Sequence, residues 1–202
     1  MAVDVMTTRK QVAGFVPWLI ALLFCAACSS APPTRVVEIL DPLTSVTITT
    51  TSTPVVFFRD VPSRAAYARD YLQVAPIEVN RTGTYRYYIW LGVWSTMGTI
   101  DPVKQRDGLE SIVVFADGEP LNFEVAGWTP ETIGASEPVN LRPVADAIDA
   151  YYAITADQIR LLANASDVRV HTLGPSFNDF ELWENQKAAF YGLQEFLGRV
   201  AY

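Results

Sequence analysis

The chain has 202 residues, 50% of them hydrophobic and 12% aromatic, with 15 basic against 22 acidic side chains and a net charge of −7. Such a composition supports a sizeable buried core and excludes wholesale disorder, while the acidic balance argues against nucleic acid or anionic lipid as a partner. With two cysteines, Cys25 and Cys28, and one histidine, His171, there is no disulfide framework and no His/Cys cluster of the kind that holds zinc.

In chain order the first signal is a leader. Arg9 and Lys10 form a basic n-region, no charge appears from Gln11 until Arg35, and an apolar run from Phe15 leads into Cys25-Ala26-Ala27-Cys28. A spanning helix needs about 20 apolar residues; here Pro17 interrupts the run and Pro32-Pro33 stop it. An ordinary cleaved signal would leave Cys28 as a lone thiol in an oxidising compartment. Cys25 to Cys28 resembles the lipobox of bacterial lipoproteins, departing from it in having Cys25 where that family usually carries Leu. The resemblance implies a diacylglycerol thioether and an amide-linked acyl chain on Cys28, and Ser29 in place of Asp implies transport to the outer membrane of a Gram-negative cell, facing the periplasm. The expected organisation is a signal peptide over 1–27, an acylated Cys28 with a Pro/Ser tether over 28–35, and one periplasmic domain over 36–202. Setting aside Asp4, Arg9 and Lys10 with the leader leaves 175 residues and a net charge of −8.

Within the domain, Ser45 to Thr50 alternates apolar and polar residues as a half-buried strand does, and Val55 to Phe58 reads as a second strand. Ser63 to Tyr71 is a loop or short helix leading to a strand over Leu72 to Val79, and Asn80-Arg81-Thr82-Gly83 is a turn. Tyr85 to Trp94 is β-branched and aromatic on both faces, as expected of a central strand covered on both sides. The hairpin Ser111 to Val125 turns at Asp117-Gly118, with Leu121, Phe123 and Val125 inward and Asn122 and Glu124 outward. Thr129 to Pro143 is a long connection, and Arg142 to Tyr151 is expected to be helical. Tyr151 to Ile154 reads as a strand. Thr155 caps a helix over Ala156 to Ala163 with Gln158 completing a capping box. Strands follow at Asp167 to Leu173 and Phe180 to Leu182, and an amphipathic helix spans Glu184 to Val200. The fold class is therefore α+β, a mainly antiparallel sheet or sandwich with C-terminal helices.

Chemistry is sparse. His171 with Ser176 and Asp179 sketches a nucleophile, base and orienter, yet Gly174-Pro175-Ser176-Phe177-Asn178 is no nucleophile elbow. Asp146 and Asp149 would share a face of the expected helix, and Asp117 with Glu119 falls in a turn that selects acids anyway. Gly83, Gly92 and Gly98 are not spaced as a phosphate loop. No catalytic residue, metal or cofactor is assigned. The one concentration suited to recognition is aromatic: Tyr85, Tyr87, Trp90 and Trp94 carry rings with polar tips that can anchor a protein or stack on a glycan. These features predict a membrane-tethered, non-catalytic binding or envelope-assembly module; the alternatives are a hydrolase using His171 and a carrier holding an apolar ligand inside the β-rich domain.

Overall fold

Period-two alternation organises most of the domain, and in the computed structural model, which describes residues 36–97, 106, 108–173, 178–183 and 186–200, it produces ten strands. The leader, Cys28, the tether and Ser176 lie outside the described residues. The strands are β1 (Val36–Asp41), β2 (Val46–Thr51), β3 (Val55–Asp60), β4 (Arg69–Arg81), β5 (Thr84–Ser95), β6 (Ser111–Ala116), β7 (Glu119–Gly127), β8 (Ile148–Ile154), β9 (Val168–Thr172) and β10 (Asn178–Leu182). Two helices follow β8 and β10: α1 (Ala156–Asn164) and α2 (Lys187–Val200).

Every pairing is antiparallel, and eight strands close a ring in the order β3-β4-β5-β8-β7-β6-β9-β10, with β10 returning to β3 through Phe57 and Phe58. The mainly antiparallel α+β expectation holds; the sheet closes into a barrel instead of packing as a sandwich. Closure removes the unpaired edges that a flat sheet would expose. Outside the ring, β1 and β2 form a flange. One edge of β4 pairs with β3 along Arg69 to Val74 and with β2 along Thr47 to Thr50, so the long strand serves two partners in succession. Ala75 and Pro76 face the gap between them. Counting from the two-residue turn of the β4–β5 hairpin, Pro76 is a non-hydrogen-bonded position toward β5, so its missing N–H would have pointed into that gap. Thr50 Oγ1 donates to the Pro76 carbonyl at 2.7 Å and spans the break.

Inside the barrel, alternate residues such as Leu72, Leu91, Ile112, Phe123, Tyr152 and Val170 are buried. One mouth is closed by α1, through Ile159 and Leu162, and by α2, through Leu193 and Phe196, which is fully buried. The Thr155 capping box forms as expected, with Thr155 N donating to Gln158 Oε1 at 2.9 Å and Gln158 N to Thr155 Oγ1 at 3.2 Å. The two-residue turns adopt positive φ at Thr82-Gly83 and Asp117-Gly118, which suits the glycines and Asp117 but not the β-branched Thr82. The outward positions include Glu124, Arg169, Asp179 and Glu181, all exposed. An apolar interior under a charged exterior is the reverse of a membrane-spanning barrel.

A second apolar cluster lies on the outer face of β2, β4, β5 and β8, built on Ile48, Ile77, Tyr88, Trp90 and Tyr151 and covered by Ile133 and Ala135 of the connection after β7. Asp41 fastens that connection, accepting from Ser136 N at 2.6 Å and Ser136 Oγ at 2.9 Å. Gly92 makes room for the indole of Trp90, whose ring would lie 2.6 Å from a Cβ there. The helix expected over Arg142 to Tyr151 is absent: Ile148 to Ile154 is β8, with Ile148, Ala150, Tyr152 and Ile154 inward. Alternation under non-local pairing with β5 and β7 overrides the helical propensity of the preceding alanines. Asp146 and Asp149 consequently share no helix face.

Candidate binding cleft

Because strand neighbours alternate, the four aromatic residues singled out in the sequence divide between two faces. Tyr85 and Tyr87 point inward with Ile89 and Leu91, whereas Trp90 and Trp94 point outward. Trp90 is 1% exposed and donates its Nε1–H to Asp149 Oδ1 at 3.2 Å. Trp94 stacks on Tyr71 with ring centroids 4.4 Å apart. Both tryptophans are packing elements of the outer wall, so a binding surface shared by all four does not form.

Tyr85 and Tyr87 instead line a cleft of about 360 Å³ where β1, β2, β4 and β5 extend past the barrel mouth beneath the last turn of α2. Register assembles its floor. Glu38 on β1 pairs with Thr49 on β2, Thr49 with Glu78 on β4, and Glu78 with Tyr87 on β5, giving one cross-strand row. The next row holds Thr47, Asn80 and Tyr85. Directly opposed side chains in such rows have Cβ atoms about 5 Å apart, so their polar ends converge. Gly198, Arg199 and Val200 form the roof.

Glu78 is the unusual member. It is 6% exposed, and among the described residues no cationic group lies within ion-pair distance of it. Burial raises its pKa above the ordinary glutamate range, and the Glu38 charge acts in the same direction against the opposing effect of the Tyr87 hydroxyl. Tyr87 is shifted upward as well, by its own burial and then by Glu78. The Tyr87 hydroxyl is 3.2 Å from the Val200 carbonyl oxygen, to which it donates. The same hydroxyl is also in hydrogen-bonding contact with the Glu78 carboxyl, which is what opposes the rise in the Glu78 pKa.

Two other cavities contrast with it. Between the β4–β5 turn and the 3₁₀ turn Pro130–Ile133 lies a cleft of about 410 Å³ with Arg81, Arg86 and Glu131 on its walls, all exposed. It contains no buried charged group. Inside the barrel the wholly apolar space between Phe57, Leu91, Val170 and Leu193 amounts to about 30 Å³, room for a single water-sized particle. The carrier alternative required a large apolar cavity, and side chains of α1 and α2 fill that space.

His171 does meet a carboxylate, with Nδ1 2.8 Å from Asp179 Oδ1 across the β9–β10 pairing, and its ring lies 4.6 Å from that of Phe115. β9 is flanked by β6 and β10, so His171 sits on an internal strand of the convex outer wall and lines none of the three cavities. Ser176, the third member of the sketched trio, lies outside the described residues. Among the described residues there is no group of three or more His, Cys, Asp or Glu arranged to hold a metal. Comparison with protein families, with curated proteins and with solved structures gives no match.

Sequence reasoning reached two cleft residues through the aromatic run. It missed Glu38, Thr49, Glu78 and Arg199, which are distant in sequence and meet only through strand register and the docking of α2. The available signal was local: inward positions of β4 change from Leu72, Val74 and Pro76 to Glu78 and Asn80 within one strand.

Proposed function

We propose that the chain is a lipoprotein held through Cys28 on the periplasmic face of the outer membrane, and that its barrel domain is a non-catalytic binding module for another envelope component. The leader supports the anchor: a basic n-region, an apolar h-region and small residues precede the cysteine in the order that export and acylation require. One acyl chain holds a protein marginally and two or more hold it stably. β1 begins eight residues after Cys28, so the tether reaches at most roughly 29 Å from the bilayer. The domain would work close to the membrane surface.

The observation that carries the binding assignment is Glu78, a desolvated carboxyl with no cationic partner among the described residues, at the floor of an open cleft flanked by two tyrosines. Leaving a buried charge unpaired costs stability, and retained costs of that kind mark functional positions. The His171–Asp179 pair, by contrast, lines none of the three cavities described above.

Cys28→Ala is expected to move the protein into the soluble periplasmic fraction or to block its processing; unchanged membrane retention overturns the anchor. A photo-reactive residue at Tyr85, an exposed part of the cleft floor, is expected to give discrete adducts in cells, whereas the same residue at Arg169 on the outer barrel wall gives none. Equal labelling from the two positions overturns the cleft as the binding surface.

A further inference from the structure

The cleft described above can be carried further, to the chemistry of what it accepts; this step rests on that cleft being the binding site. We infer that it binds a small organic ammonium group, seated between Glu78 and Glu38 and against the rings of Tyr85 and Tyr87.

Four observations converge on a cation. Glu78 is more than nine-tenths buried, opens onto the cleft and has no cationic partner among the described residues, so an ammonium ligand supplies the missing counter-charge. Glu38 stands in the same cross-strand row two strands away, roughly 10 Å by strand spacing, a separation that an alkylammonium with its N–H donors can bridge. Tyr85 and Tyr87 present aromatic rings at the same floor, and ring faces attract cations. The roof is the C-terminal turn of α2, whose carbonyl end carries partial negative charge.

Among the described residues, the charged and titratable groups lining the cleft are Glu38 from β1, Glu78 from β4, Tyr85 and Tyr87 from β5, and Arg199 from α2. Arg199 is exposed and forms no ion pair among the described residues. It leaves the floor anionic and offers the rim one cation, which can receive a carboxylate. The ammonium therefore has two sources, a free amine or an amino acid whose carboxylate reaches Arg199. A chelated metal ion fits less well, because among the described residues two carboxylates line the cleft and they come from strands separated by β2.

Ammonium binding needs Glu78 ionised. As its pKa is raised, affinity is expected to climb as pH rises through the Glu78 titration, with a proton released on binding in the acidic part of that range. The Glu78→Gln variant removes the charge and nearly keeps the shape. An ionised Glu78 costs the folded state stability once pH exceeds the unfolded glutamate value, so the Gln variant is expected to melt at or above the wild-type temperature near neutral pH, which separates lost binding from lost folding.

The test is calorimetric titration of the full chain, purified from membranes in mild detergent, with 1,4-diaminobutane, L-lysine, the uncharged isostere 1,4-butanediol and calcium chloride. We expect at least one of the two amines to bind, the diol not to bind, and Glu78→Gln to weaken the amine about 30-fold or more, while Glu124→Gln on the outer wall leaves affinity unchanged. Tighter lysine binding that Arg199→Gln abolishes identifies an amino acid as the source; tighter diamine binding identifies a free amine. The proposal fails if neither amine binds more tightly than the diol, if Glu78→Gln binds as wild type does, or if calcium binds and amines do not displace it. Failure of the amines alongside discrete crosslinking at Tyr85 removes the ammonium and leaves the binding module standing.

Discussion

Phe196→Ala tests whether α2 belongs to the barrel core or merely lies against it. Phe196 is fully buried and in the cluster that joins α2 to β-strand side chains from all round the ring. Truncating a core phenylalanine costs about 3–5 kcal/mol, made of lost transfer energy and a term for the hole left behind. The second term depends on how far the surroundings collapse. Here the walls are strands locked into a closed hydrogen-bonded ring, and the existing void beside the helix is only about 30 Å³, so neither the wall nor spare space can absorb the change. The expected loss is therefore in the upper part of that range, about 4 kcal/mol. For a domain of this size each kcal/mol moves the midpoint by about 2–4 °C, which places the variant about 8–16 °C below wild type. Thermal unfolding followed by circular dichroism on the detergent-solubilised full chain measures this, and urea unfolding checks it independently. Phe196→Leu, which refills most of the space, should recover more than half of the loss. A Phe196→Ala loss below about 1 kcal/mol would show that the mouth is not plugged by α2. The cleft roof would then lack a fixed support.

Two further predictions probe the outer wall. Asp149→Ala leaves Trp90 Nε1–H buried without its acceptor and deprives Arg142, which donates to Asp149 at 2.7 Å, of its partner. The orphaned indole donor alone should cost about 1–3 kcal/mol, read as a lower urea midpoint with an unchanged slope; no change in midpoint refutes the assigned role. Asp41 receives the Ser136 backbone N–H, then the Ser136 hydroxyl and the backbone N–H of Leu43, and these bonds hold its pKa far below the ordinary carboxylate value of 3.8. A lowered pKa means the folded state binds the proton less tightly than the unfolded state. Its stabilisation is fully present above the unfolded value and is lost as pH falls below it toward the folded one. Asp41→Asn should lower the melting temperature near neutrality and flatten the acid limb of stability against pH. Parallel curves for variant and wild type would refute it.

Local chemistry made part of this fold readable. Asp117-Gly118 sets the β6–β7 hairpin and its register, Thr155 with Gln158 starts α1, and the apolar stripe through Leu193 and Phe196 finds the buried face of α2. These features need only a few adjacent residues. The barrel needed more: β10 meets β3 through Phe57 and Phe58, some 120 residues earlier in the chain, and nothing within either short strand specifies that partner. The mistaken helix at Arg142 to Tyr151 has the same origin, since Ala145, Ala147 and Ala150 favour a helix locally while pairing with β5 and β7 decides for a strand from Ile148 onward. Likewise Trp90 and Trp94 were legible as aromatic but not as interior to a wall, because the covering connection with Ile133 and Ala135 lies far along the chain.

The cleft follows from the same break that lets the barrel close. β4 is 13 residues long, about twice what its pairing with β3 uses, and at Pro76 its outer edge passes from β3 to β2. At that point its inward face leaves the space enclosed by the ring. An apolar residue there would face solvent and a charged one would no longer face the packed core, so inward residues before the break are Leu72 and Val74 and those after it are Glu78 and Asn80. β5 mirrors the change, with Ile89 and Leu91 inside the ring and Tyr87 and Tyr85 beyond it. Were the overhang only a solvated flange, Glu78 would be exposed as Glu38 is. The last turn of α2 roofs it instead, and Glu78 is thereby desolvated. Both the helix that fills the barrel and the strand that outgrows it are therefore needed to turn an ordinary surface glutamate into a buried acid that opens onto the cleft with no cationic partner among the described residues.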